Sequence, residues 1–160
     1  VMAGAGTPEF QKLFDAFCGE FPEIAAYIQL PGQITDRNSL CAYYRKAKIF
    51  ALTSQMEGGL PNVYAEAAGH GCTVITTNID AAADMTDEGR LGKIVETFDD
   101  IPAYAKALSG LCADKEYLER NFYNIRKYID EYFNYDHIAE RLHILFELAD
   151  GGSDGSRHEN

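Results

Sequence analysis

Lys48-Ile49-Phe50-Ala51-Leu52-Thr53 leads through Ser54-Gln55-Met56-Glu57-Gly58-Gly59-Leu60 into Pro61-Asn62-Val63-Tyr64-Ala65-Glu66-Ala67-Ala68-Gly69-His70, then Gly71 and Cys72-Thr73-Val74-Ile75-Thr76-Thr77. The first run is nearly continuous in apolar residues, the pattern of a strand covered on both faces. Pro61 has a preset φ and no N–H to satisfy, so it begins a helix. Gly71 ends that helix, and the second apolar run reads as the next strand. Strands alternating with helices imply an α/β fold, a Rossmann-like parallel sheet with helices on both faces. Such sheets take their ligands beyond the C-terminal ends of the strands.

Toward the N-terminus, Val1-Met2-Ala3 reads as the end of a buried strand and Gly4-Ala5-Gly6 as a tight turn. Thr7 caps a helix with Pro8 in its first turn, and Phe10, Leu13, Phe14, Phe17 and Phe21 recur at helical spacing. Tyr27-Ile28-Gln29-Leu30 reads as a short strand closed by Pro31-Gly32, and Thr35-Asp36 caps a helix through Leu40, Tyr43, Tyr44 and Ala47. Toward the C-terminus, a short helix is expected over 81–85 and a strand over 92–95. Three extra helices then follow: a stripe of Ile101, Tyr104, Leu108 and Leu111, then 116–132, then 137–148. Residues 1–149 are expected to form one Rossmann-like domain that opens inside a strand, with sequence preceding Val1. Residues 150–160 are expected to form a disordered tail.

The 160 residues are 46% hydrophobic and 24% charged, with a formal net charge of −11. The chain can build a core of its own, and its acidity disfavours nucleic acid and anionic lipid as partners. No apolar run approaches the ~20 residues that span a bilayer. Cys18, Cys41, Cys72 and Cys112 lack C-x-x-C spacing, and four scattered cysteines read as reduced core residues of a cytoplasmic protein. His70, His137, His143 and His158 form no ligand pattern, so no metal site is expected. His70 reads as a helix-end residue on the C-terminal dipole, and Asp84, Asp87 and Glu88 as a solvated turn. Tyr117, Tyr123, Tyr128, Tyr132 and Tyr135 read as packing for the last helices, with some exposed.

The loop at 54–60 carries the chemistry. Gly58 and Gly59 let backbone approach a ligand closely. The helix begun by Pro61 turns unpaired amides and a positive dipole end toward the cleft. Glu57 and Glu66 bracket that helix start. Amides suit a diphosphate, and carboxylates accept hydrogen bonds from sugar hydroxyls. Acids near a helix start also stabilise it without any ligand, so both readings stand on physics alone.

Ser54 through Ala67, followed by Gly69-His70-Gly71-Cys72-Thr73-Val74-Ile75-Thr76, resembles the donor-site signature of the retaining GT-B glycosyltransferases of family 4. Gly4-Ala5-Gly6, Leu30-Pro31-Gly32-Gln33-Ile34, the helix Leu40-Cys41-Ala42-Tyr43-Tyr44-Arg45-Lys46-Ala47 and Gly89-Arg90-Leu91-Gly92 resemble further family pieces in family order. The resemblance covers about residues 1 to 148 and implies the C-terminal, donor-binding half of a GT-B fold. It also implies a UDP- or GDP-sugar as substrate, no cofactor and no metal. Glu66 would hold the ribose hydroxyls, and Glu57 would contact the donor sugar near the reacting carbon as the catalytic residue. Gly58, Gly59, Leu60, Pro61 and Asn62 would lie along sugar and diphosphate, and the backbone of Gln33 and Ile34 along the nucleobase.

Two departures stand out. The family usually holds seven residues between its two acids, and this chain has eight. An extra residue within the helix would rotate Glu66 by about 100°, whereas one in the glycine loop would leave it in place. The family's Arg and Lys that neutralise the diphosphate fall before Val1, and Arg45, Lys46 and Lys48 precede the strand and belong at the opposite sheet edge. The expected function is therefore the donor domain of a retaining, metal-independent hexosyltransferase acting on a glycan or lipid-linked acceptor, as in polysaccharide biosynthesis. The acceptor would be bound by a missing N-terminal domain that also touches the inner face of the membrane, and this chain alone would be inactive. The alternatives are a non-catalytic nucleotide-sugar-binding or scaffold module and an acidic receiver domain. The receiver reading is disfavoured because no paired acids follow the first strand and three helices end the chain.

Overall fold

The structure, a computed structural model, describes residues 1–56, 58–59 and 61–151. The chain forms two compact units, Val1–Tyr43 and Tyr44–Asn160.

In the first unit, helix α1 (Pro8–Glu20) starts as its sequence dictates. Thr7 Oγ1 accepts the Phe10 amide at 3.2 Å, and Pro8 occupies the first turn. Its phenylalanines line one face: Phe10 stacks on Phe14 with ring centroids 5.9 Å apart, and Phe17 lies tilted against the C-cap Phe21 at 5.3 Å. A one-turn helix not foreseen from the sequence, α2 (Pro22–Ala25), follows directly. The two strands expected at 1–3 and 27–30 reduce to one parallel bridge, Ala3 with Gly32. Bonds from Met2 N to Gln29 O and Gly4 N to Gly32 O flank it. Val1 and Met2 are exposed rather than buried, because so short a segment offers only this one pairing. Helix α3 (Arg37–Lys46) is capped by Asp36, whose Oδ2 accepts the Ser39 amide at 2.7 Å, and the two units divide within it.

The second unit is built on three parallel strands, β1 (Ile49–Leu52), β2 (Thr73–Thr77) and β3 (Gly92–Val95), in that spatial order. Ile49 pairs with Thr73 and Leu52 with Thr76, while Val74 pairs with Gly92 and Thr77 with Val95. β2 is buried at every position. The apolar run of β1 predicts a strand covered on both faces, but it lies at the edge of this sheet and is only partly covered.

Alternation along β2 sends Val74 and Ile75 to opposite faces. Val74 packs with Tyr64 and Ala68 of α4 (Asn62–Gly69), Met85 of α5 (Ala82–Thr86), and Ile125 and Ile129 of α7 (Lys115–Phe133). Ile75 packs with Val95 and with Leu111 of α6 (Ile101–Ala113). Full burial of a side chain such as Ile125 contributes about 1.5–3 kcal/mol. Asp100 and Asp114 cap α6 and α7 by accepting the amides of Ala103 and Tyr117, each at 2.9 Å. Asn121 of α7 donates to Thr73 Oγ1 at 2.8 Å and to the Leu91 carbonyl at 2.9 Å, fastening that helix to the sheet. The last helix is α8 (Tyr135–Gly151). Among the described residues no helix is long and apolar enough to cross a membrane. The tail expected over 150–160 falls, from residue 152 on, outside the described residues.

Candidate functional site

The C-terminal ends of β1 and β2 are pinned by hydroxyl groups. Tyr64 of α4 donates to Thr76 Oγ1. Thr77 Oγ1 and Tyr104 Oη lie 2.6 Å apart, and Tyr104 also donates to the Leu52 carbonyl at 3.4 Å. These bonds fix the loop's point of departure after β1 and hold α4 against β2. The sequence reading assigned none of these groups, because Tyr104 lies 52 residues beyond Leu52 and no spacing rule joins them.

Of the candidate residues, Glu57 and Leu60 lie outside the described residues. Gly58 and Gly59 are exposed, and Gly59 has φ +104°, a left-handed conformation that favours glycine. A Cβ at either position would meet no atom within 4 Å, so the backbone there borders open space. Pro61 is buried at the N-cap of α4 with extended geometry (φ −67°, ψ 121°), and Asn62 is the first, exposed helical residue. α4 has no side-chain cap and no acid in its first turn. Among the described residues its positive end is met by no acid of its own first turn. Gln33 and Ile34 belong to the first unit, Gln33 exposed and Ile34 half-buried.

Glu66 is half-buried in α4, beside the buried Ala67 and Ala68. Its Oε2 accepts from Tyr44 Oη at 3.5 Å. Its carbonyl accepts the His70 amide at 3.2 Å and lies 2.7 Å from His70 Nδ1, a contact in which that nitrogen carries the proton. His70 is the C-cap of α4, so the helix-end reading of that residue holds. Arg45 and Lys46 close α3, and the Lys48 carbonyl accepts the Thr73 amide at 2.9 Å at the start of the sheet. All three basic residues thus belong to the N-terminal edge of the strands, as expected. Arg90 bonds to Asp87 within the acidic turn. Tyr117 and Tyr128 donate to the carbonyls of Arg90 and Asp84 at 3.0 and 2.7 Å, whereas Tyr123, Tyr132 and Tyr135 are exposed.

The family model for glycosyl transferases group 1 matches residues 1–114. The capsular polysaccharide biosynthesis glycosyltransferase CapM of Staphylococcus aureus is 31% identical over 114 residues, covering 71% of this chain and 30% of that protein. Spore coat protein SA of Bacillus subtilis (strain 168) is 28% identical over 104 residues, covering 65% of this chain and 28% of that protein. The chain thus spans between a quarter and a third of the length of these relatives. Among solved structures, a sucrose-phosphate synthase from Thermosynechococcus elongatus has the same fold. The TM-score is 0.74 at 23% identity, over 94% of this chain and 38% of that one.

Proposed function

The chain belongs to the group 1 glycosyltransferases, and from that premise we propose that its second unit binds the donor, a UDP- or GDP-sugar. The protein containing it transfers a hexosyl unit with retention and without an essential metal to a glycan or lipid-linked acceptor held by another domain. The observation that carries this reading is Glu66, a half-buried carboxylate in a helix with an uncapped N-terminus, directly after the glycine loop at the C-terminal end of β1. Glu66 accepts hydrogen bonds from the ribose hydroxyls, which are donors that water would otherwise satisfy. The amides at the start of α4 and around Gly58 and Gly59 hold diphosphate oxygens.

In the transfer, the bond from the sugar's anomeric carbon to the diphosphate oxygen breaks as the acceptor oxygen bonds to that carbon on the same face. The acceptor's proton passes to the leaving diphosphate. Glu57 orients the sugar and stabilises the positive charge that develops on its ring. Steady-state kinetics of the Glu57→Gln variant in the full-length protein test this role. The expected result is a fall in kcat of about 10²–10³-fold, with nucleotide affinity within about threefold of wild type. Unchanged kcat would remove the catalytic role of Glu57. The kinship to a capsular polysaccharide glycosyltransferase supports a growing glycan as acceptor.

A further inference from the structure

We propose that Tyr44 is a positioning residue for Glu66: its phenol holds the carboxylate in the rotamer that receives the ribose hydroxyls. The proposal rests on the donor-site reading of Glu66 given above. Tyr44 is only 7% exposed, near the C-terminal end of α3. Its ring is clamped from two sides. Phe50 of β1 meets it edge-on at 6.0 Å, and the His70 ring lies at 5.5 Å. Its carbonyl accepts from the Ala47 amide at 3.1 Å and from the Cys72 thiol at 3.4 Å. Backbone and ring are therefore fixed before any ligand arrives. His70 is in turn bound to the carbonyl of Glu66 itself, so the two aromatic groups bracket one residue of α4.

Among the described residues, Tyr44 is the side chain that hydrogen-bonds the Glu66 carboxylate, through Oε2 at 3.5 Å. A carboxylate has two oxygens and about four acceptor positions, so Oε1 and the remaining positions on Oε2 stay available to a diol. A glutamate free to rotate loses side-chain entropy when it binds a ligand. One already restrained by a phenol loses less, and the difference appears as affinity. No spacing rule joins this pair, because the two residues are 22 apart and Tyr44 reads as one more apolar position of α3.

The test is calorimetric titration of the full-length protein with UDP and GDP, and with their 2′,3′-dideoxy analogues, which lack the ribose hydroxyls. The variants are Tyr44→Phe, Glu66→Ala and the double variant. Tyr44→Phe keeps the ring and its packing and removes only the hydroxyl. It is expected to weaken binding of the ribonucleotide about three- to tenfold. It is also expected to leave the dideoxy analogue unchanged and to have no further effect in the Glu66→Ala background. Equal weakening toward both nucleotides would mark a merely structural role and overturn the proposal, as would no change toward the ribonucleotide while Glu66→Ala weakens it. Indifference of nucleotide binding to Glu66→Ala, or no binding of either nucleotide, would overturn the donor-site reading and this proposal with it.

Discussion

Cys72 shows how position in the fold sets the chemistry of a single side chain. It begins the run into β2, is fully buried, and donates to carbonyls at the end of α3. Burial pushes its thiol up from 9.0 to about 11, because the thiolate would lose its hydration with no compensating charge nearby. A pKa raised in the folded state favours folding while the thiol stays protonated. That contribution is fully present below the unfolded value near 9.0 and is lost as pH rises through about 11. At pH 8 only about one Cys72 in a thousand is thiolate. In a timed reaction with a disulfide reagent at pH 8, exposed Cys112 should therefore react readily, and Cys72 only on unfolding. Labelling of Cys72 as fast as Cys112 would contradict its buried environment. The sequence read all four cysteines as core residues, but Cys18 and Cys41 are only half-buried and Cys112 is exposed, because no spacing rule tells which helix face is covered. It held no trace of how far burial would suppress the ionisation of Cys72. It was equally silent on Tyr44, whose role depends on a contact between two helices distant in sequence.

At the scale of elements, the sequence was most legible where a local rule decides the outcome. Thr7 with Pro8, Asp36, the Pro61 helix start and the β3 segment Gly92–Val95 appear as expected, since caps and apolar runs act within a few residues. Legibility fell where pairing between distant segments decides. The segments around Ala3 and Gly32 have strand-like composition but form one bridge, and the most covered strand is β2 rather than β1. The turn from α4 into β2 joins both kinds of information. Gly71 was read as a helix stop, and its φ of +92° confirms that role. The reason no other residue fits is tertiary: a Cβ there would lie 2.3 Å from the Phe122 ring of α7. Gly71→Ala combines left-handed strain with displacement of that ring, and should cost about 2–4 kcal/mol in denaturant unfolding. A loss below about 0.5 kcal/mol would show that α7 does not press on this turn.

At the scale of the whole molecule, β2 with helices on both faces provides a rigid base, and the proposed donor site lies in the connection after β1, where a parallel sheet offers its C-terminal strand ends. The chain belongs to the group 1 glycosyltransferases and shares the fold of a sucrose-phosphate synthase. The placement of the candidate residues on their elements was legible: Gly58 and Gly59 in the loop, Pro61 and Asn62 at the helix start, Glu66 within α4. What the sequence could not convey is the support behind that order, namely the Tyr64–Thr76, Tyr104–Thr77 and Tyr44–Glu66 contacts that join separate elements. The central claim, that this is a nucleotide-sugar site anchored by Glu66, is tested most directly by ligand-observed NMR on the full-length protein. UDP, GDP, ADP and their sugars would be titrated against wild type and Glu66→Ala. The donor-site reading predicts that one nucleotide binds and that its affinity falls at least about tenfold in the variant. No binding by any of these nucleotides, or equal binding by wild type and Glu66→Ala, would contradict it.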